Sequence, residues 1–269
     1  MVERLMNSEE NTKRIKRVEN AFGTFGTPLL TPGRVLVGEG ILTKMCRKKS
    51  KLRQVFLFND ILVYGTLITK KKFGPQKIIP LEQIEIEDIE DSNDMKNGWL
   101  IKTPSKSFAV YSSTLTEKHE WMDHIRKCIE YRVAHTGRRP SLSSYAPTWI
   151  PDTEVSTCMI CKKTQFGVIT RKHHCRKCGR IVCNTCSSRR FLLPHQSNKP
   201  VRVCDPCFVS LSETPSSPTA SSPDASKDEE FVDSDDGIIN EINKELDASD
   251  ISRAPTFYSD SNGMPPSNQ

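Results

Sequence analysis

Eight of the chain's ten cysteines crowd between positions 158 and 207, and that clustering limits the fold more than any other feature. They form four Cys-x-x-Cys pairs, Cys158/Cys161, Cys175/Cys178, Cys183/Cys186 and Cys204/Cys207, separated by 13, 4 and 17 residues. Paired thiolates at this spacing are metal ligands, and eight of them fit two closed tetrahedral zinc sites with four sulfurs each. Iron–sulfur ligation satisfies the same count, but regular two-residue knuckles favour Zn2+. A site closed by four sulfurs has no open position for water, so both ions are expected to be structural and not catalytic. A module of about sixty residues with few large apolar side chains needs such metal to stay folded. The other two cysteines, Cys46 and Cys128, stand alone.

A disulfide-rich secreted protein is the competing reading of so many cysteines. The opening MVERLMNSEENTKRIKRVEN has no apolar core behind its charges and does not read as a secretory signal. No stretch approaches the ~18–20 apolar residues that span a bilayer. The expectation is a soluble, cytoplasmic chain whose clustered thiols hold metal.

Charge then narrows the partner. Residues 1–210 carry 36 Lys and Arg against 20 Asp and Glu, whereas residues 211–269 carry 3 against 13. A basic body with an acidic tail implies an anionic partner for the body, either nucleic acid or a membrane surface. Around Cys175 the sequence reads RKHHCR. Arg171, Lys172 and Arg176 suit phosphate oxygens, and His173 and His174 offer hydrogen bonds to phosphate or hydroxyls. Taken alone, the hexapeptide reads equally well as a basic surface turn beside a zinc ligand. Nucleic acid is disfavoured because the motif lacks an array of stacking aromatics.

Upstream, residues 8–22 set Ile15, Val18 and Phe22 at helical spacing behind Ser8 and two glutamates. This predicts a short amphipathic helix docked on the domain that follows. From Val35 the texture is strand-like: GRVLVGEGILTKMC, a basic turn, QVFLFNDILVYG broken at Asn59-Asp60, KIIPLEQIEIEDIE, and the hairpin WLIKTP/KSFAVYSS. After Thr114 the period turns helical, with Leu115, Trp121, Met122, Ile125, Cys128 and Ile129 on one face. Seven short strands and one helix predict an α+β architecture, an antiparallel barrel or sandwich with a C-terminal capping helix.

Over residues 35–131 this layout resembles a pleckstrin-homology (PH) domain, most clearly at FLFNDILVY and at Trp121 in the last helix. The resemblance implies headgroup binding by Lys44, Lys51 and Arg53, within a run holding six cations in the ten residues 44–53. The alternative is an exposed hairpin tip whose charges keep an edge soluble. Residues 132–148 read as a polar linker with Pro140 and Pro147, long enough to let the flanking domains reorient.

Three further motifs accompany the cysteines: Trp149-Ile150-Pro151-Asp152, then RKHHCR, then Arg202-Val203-Cys204. Together they resemble the FYVE zinc-finger family over residues 149–211. The resemblance implies a cross-braced frame, with Cys158, Cys161, Cys183 and Cys186 on one zinc and Cys175, Cys178, Cys204 and Cys207 on the other. It also implies recognition of phosphatidylinositol 3-phosphate, with Trp149 opening the motif. Arg171 and Lys172 would face the 1-phosphate, His173, Arg176 and Arg202 the 3-phosphate, and Asp152 and His174 the ring hydroxyls. Asp152 would at the same time repel headgroups carrying more phosphates. If both histidines bind better as imidazolium, lipid affinity should rise as pH falls through about 6.5.

Phe166-Gly167-Val168-Ile169-Thr170 is an apolar tip bordered by cations, suited to insertion into a leaflet. Phe166 is expected inward, Val168 and Ile169 outward. Arg189, Arg190 and Lys199 read as generic surface charges. The tail, 212–269, reads as disordered and acidic, with Ser217-Pro218 and Ser222-Pro223 as phosphorylation candidates and a short helix over 237–247. Its sharper reading is competition with membrane for a basic lipid site.

A helical segment (1–34), a PH domain and a closely following FYVE finger are similar to the Phafin family. That resemblance implies a non-enzymatic adaptor, peripheral on early endosomes and lysosome-associated membranes, serving endosomal trafficking and autophagy. Other readings are a RING-like ubiquitin ligase, a zinc-dependent interaction scaffold, and a GTPase exchange factor. A RING would carry a ligand histidine and lack RKHHCR, and no helical catalytic domain precedes Val35. Two lipid-facing modules on one chain would gain avidity from engaging one bilayer together.

Overall fold

The computed structural model describes residues 8–23, 26–47, 49–69, 71–92, 95–137, 145–213 and 254–258. Helix α1, Glu9–Phe22, starts where Ser8 caps it: the Ser8 hydroxyl accepts from the Asn11 N–H at 3.1 Å. Its inward residues Ile15, Val18 and Phe22 pack against Phe56, Phe58, Val63 and Phe73. Buried Asn11 fixes the helix to the start of the barrel, donating to Arg34 O at 2.9 Å and accepting from Leu36 N at 3.0 Å. The helix therefore docks on the next domain.

That domain is an all-antiparallel barrel of β1 (Leu36–Lys44), β2 (Lys51–Phe58), β3 (Ile61–Thr69), β4 (Lys72–Phe73), β5 (Lys77–Pro80), β6 (Glu85–Asp88), β7 (Gly98–Lys102) and β8 (Phe108–Tyr111). Its strand order is β4-β3-β2-β1-β8-β7-β6, with β5 also paired to β3. The stretch KIIPLEQIEIED, read from sequence as one strand, is two. Pro80 has no N–H with which to continue the ladder, and Leu81 turns fully into the core through a 3-10 turn, Leu81–Gln83. Helix α2, Leu115–Thr136, closes one end, burying Trp121 beside Trp99 in the barrel core. The Thr114 hydroxyl accepts from Glu117 N at its start, and Gly137, left-handed at φ 65°, ends it five residues past the expected boundary at 131.

The finger has little regular structure. β9 (His173–His174) pairs with β10 (Ile181–Val182), β11 (Arg190–Phe191) with β12 (Val201–Arg202), and α3 (Asp205–Ser212) ends the module. Ile181, Val182, Phe191 and Val203 are its buried apolar residues, the last three packed among the cysteines. So small a core is consistent with folding energy supplied by metal.

Two expectations change. The described end of the linker, residues 145–148, does not hang free of the barrel. Ala146 N donates to Thr103 O at 2.9 Å, Ser107 and Thr148 form a parallel bridge, and Ala146 is buried. The finger closes on the same strand: at Gly179, φ 75°, an added Cβ would lie 2.6 Å from Thr148 O. Only glycine allows that approach.

The second change concerns the tail. Residues 254–258 lie against the barrel, with β13 (Thr256–Phe257) antiparallel to β1. Phe257 and Tyr258 supply the aromatic surface that a purely polar tail lacks. The sequence readings of a helix over 237–247, of phosphorylation at Ser217 and Ser222, and of acidic competition for the lipid site lie outside the described residues.

Candidate lipid-headgroup site on the finger

The metal frame comes first because it positions everything else. Cys158, Cys161, Cys183 and Cys186 bring their sulfurs within 4.8 Å of one another, and so do Cys175, Cys178, Cys204 and Cys207. The first and third pairs thus share one site and the second and fourth the other, a cross-brace. Cys178 and Cys204 Sγ are 3.8 Å apart. A tetrahedron with Zn–S bonds of about 2.3 Å has edges of about that length, so the residues fit Zn2+. Backbone N–H groups aim at the sulfurs, Cys183 N at Cys158 Sγ (3.3 Å) and Cys204 N at Cys175 Sγ (3.2 Å). The Cys178 thiol, against the opposing effect of burial and aided by the amides of Cys204, Cys178 and Lys177, holds the Cys175 thiol down at about 4, which favours the thiolate that a metal requires.

On this frame the basic motif forms a short ridge. Backbone bonding ties Arg176 of this motif to Arg202 of the last one: Arg176 N donates to Arg202 O at 2.9 Å. The Arg176 guanidinium lies over Trp149, 4.3 Å from the ring centroid, and donates to His174 O. Arg202 donates to Asn184 Oδ1 at 2.9 Å and Ser187 O at 2.8 Å. Trp149 also stacks on His174, with ring centroids 4.8 Å apart. The Trp-x-x-Asp segment and RKHHCR therefore make one surface, although 18 residues separate Asp152 from Arg171.

His174 is buried, its Nε2 2.8 Å from Ile150 O and 3.8 Å from Asp152 Oδ1. Burial above all lowers its pKa, Arg47 and Arg176 add to that, and Ile150 O and Asp152 oppose it. The neutral ring is favoured, so His174 does not supply the gain in affinity expected on acidification. Asp152 Oδ1 is buried and has no hydrogen-bond partner among the described residues, with His174 Nε2 3.8 Å away. Lys172 does not point outward: its ammonium donates to Asp152 O and lies 5.8 Å from the Phe166 ring centroid. Arg171 is exposed.

Next to the ridge, Val168 and Ile169 are 99% and 97% exposed at the tip, while Phe166 packs back on the finger core. Two aliphatic side chains so fully exposed add nothing to the finger's core, and an adjacent exposed pair of this kind marks a contact surface.

The barrel residues expected to bind a headgroup are arranged differently. Lys51 is half-buried, but Lys44 and Arg53 are each only 1% exposed. The Lys44 ammonium sits 4.7 Å from the Phe108 ring centroid and 5.2 Å from that of Tyr64. Aromatic faces stabilise a desolvated cation, so Lys44 lies inside the barrel mouth and not on its rim. The sequence reading missed Arg47, counted there only as part of a basic turn. Its Nε is 2.9 Å from Asp152 Oδ2, its carbonyl accepts from Asp152 N at 3.1 Å, and its Nη2 reaches Lys172 O at 3.4 Å. A cleft lined by Met45, Arg47, Lys106, Phe108, Thr148 and Trp149 runs between the two modules.

No helix among the described residues is long and apolar enough to cross a membrane. Sequence profiles match a FYVE zinc finger over residues 148–213 and a PH domain over residues 36–130. Pleckstrin homology domain-containing family F member 2 of Homo sapiens is 60% identical over 213 residues, 79% of this chain and 85% of that protein. Family F member 1 of Homo sapiens is 52% identical over 212 residues, 78% and 76% of the two chains. An uncharacterized protein of Caenorhabditis elegans, ZK632.12, is 50% identical over 259 residues, 96% and 97% of the two chains. Each likeness spans more residues than either module holds, so the chain belongs to the Phafin family of pleckstrin homology domain-containing family F proteins, and is a phosphoinositide-binding membrane adaptor.

Proposed function

We propose that the finger binds phosphatidylinositol 3-phosphate and thereby recruits this chain to the cytosolic face of early endosomes. The observation that carries this reading is the 2.9 Å backbone bond that joins Arg176 to Arg202, beside a Trp149–His174 stack and the Asp152 carboxylate. Two guanidinium groups fixed on a metal-braced backbone suit a compact phosphate dianion. A carboxylate oxygen beside them suits an adjacent hydroxyl and disfavours a second phosphate there. His173 and Arg171 extend the positive ridge toward the bilayer, and Val168 and Ile169 enter the leaflet next to it.

The barrel adds a second, weaker anionic contact through its first hairpin, whose exposed Lys49 and half-buried Lys51 face solvent. Both four-sulfur sites are closed, which suits structural and not catalytic zinc and supports an adaptor role. Endosomal transport and autophagy are the processes this reading assigns, with lysosome-associated membranes as a further location.

Depleting the lipid in cells with a membrane-targeted 3-phosphatase tests the proposal. Release of the fluorescent full-length chain into the cytosol within minutes is expected. Retention on the vesicles after depletion would refute it.

A further inference from the structure

The first half of β1 has an edge that the barrel itself does not fill. β1 meets β8 only at Thr43 and Lys44, whereas its pairing with β2 runs the full length of the strand. Residues 254–258, more than forty positions beyond the finger's last helix, occupy that edge. Gly38 faces Phe257 and Glu39 faces Thr256 in antiparallel register, and Tyr258 N donates to Val37 O at 2.8 Å.

Backbone pairing over two residues cannot hold a segment, because even an isolated hairpin is marginal in water. The side chains supply the rest. Phe257 stands edge-on to Trp121 at 5.2 Å and lies flat on His124 at 3.9 Å and 6°. Its seat exists because residue 38 is glycine: a Cβ there would be 2.4 Å from the Phe257 ring. Gly40 makes the same space for Pro255, 3.0 Å from its would-be Cβ. The Tyr258 hydroxyl donates to Glu39 and accepts from Arg17 Nη2 at 3.3 Å, while the Arg14 guanidinium caps its ring at 4.1 Å. Three elements, α1, β1 and α2, thus converge on five residues that belong to none of them.

Strand addition to an open edge, with pockets for chosen side chains, is a recognition mode for extended peptides. We propose that the β1–α2 groove is an exchangeable peptide-recognition site for an extended Pro-x-Phe-Tyr segment, which the chain keeps closed with its own residues 254–258. The aromatic slot reads Phe, the Glu39–Arg17 pair reads the Tyr hydroxyl, and the glycines admit the proline and the ring. A partner carrying the same chemistry enters by displacing the resident copy, which competes at an effective concentration on the order of millimolar because it is tethered. The ligand is a protein segment and not a lipid, so this site is separate from the finger's.

The test uses a fluorescein-labelled peptide of residues 252–260 and full-length chain, read by anisotropy. With the groove vacated by F257A/Y258A, the peptide should bind at least tenfold more tightly than to the unaltered chain. Adding His124→Ala to the vacated chain, a change at a half-buried helix position outside the barrel core, should weaken binding severalfold. No binding to the vacated chain, equal binding to both chains, or indifference to the His124 change would each overturn the proposal.

Discussion

Arg47 of the first barrel hairpin lies 2.9 Å from the carboxylate of Asp152 in the finger's Trp-x-x-Asp segment, and its carbonyl accepts the Asp152 N–H. A residue expected to read headgroup hydroxyls is thus held from the other module. The pair neutralises part of the Asp152 charge that would repel phosphate. The two modules share a wall, and the proposed lipid site borders both.

A double-mutant cycle on Arg47→Ala and Asp152→Ala should therefore give a coupling energy of about 1 kcal/mol in denaturant unfolding, since the two side chains are 23% and 17% exposed and in direct contact. Additive effects of the two changes would remove the shared wall from the account.

Removing metal separates the two folding problems. A strong chelator should release two Zn2+ per chain, measured by a colorimetric zinc indicator, and weaken vesicle binding at least tenfold, leaving only the barrel's contact. The barrel's near-ultraviolet signal from Trp99 and Trp121, both fully buried, should persist. Eight thiols should then become reactive. Cys128 should not, because burial pushes its thiol up to about 12.

The same thiol gives a pH dependence with a definite sign. Its folded pKa lies above the ordinary value of 9.0, so the folded state holds the proton more tightly. Its contribution is complete below about pH 9 and is lost as pH rises toward 12. Unfolding midpoints should fall over that window, and Cys128→Ala should flatten the decline. An unchanged slope in the variant would contradict the assignment.

At the tip, V168E/I169E should weaken binding to vesicles at least tenfold, since each buried aliphatic side chain contributes about 1.5–3 kcal/mol. Affinity for a soluble inositol 1,3-bisphosphate headgroup, measured by calorimetry, should barely change. Equal losses in both assays would mean that these residues serve the finger's fold and not the bilayer.

Much of this organisation is legible in the residues. Spacing alone carries the four cysteine pairs, and Ser8 with Ile15, Val18 and Phe22 carries the first helix, because both signals are local. The burial of Lys44 and Arg53 was also legible. Strand alternation gives Lys44 the same face as Leu42, and Arg53 the same face as Val55 and Leu57, and all of these are inward. At both positions parity outweighs charge. Arg47–Asp152 was not legible, because 105 positions separate the partners and nothing in a basic turn marks one cation as special. Neither was the docking of 254–258: its two aromatics sit in a polar tail, and their seat is defined by glycines more than two hundred residues earlier.

The central claim is that Arg176 and Arg202 clasp a single phosphate on an inositol ring. Flotation of the full-length chain with vesicles containing each phosphoinositide in turn, alongside the R176A/R202A variant with its zinc content verified, tests it most directly. Selective flotation with phosphatidylinositol 3-phosphate that falls at least tenfold in the variant is the predicted result; undiminished flotation of the variant, or equal flotation with every phosphoinositide, would contradict it.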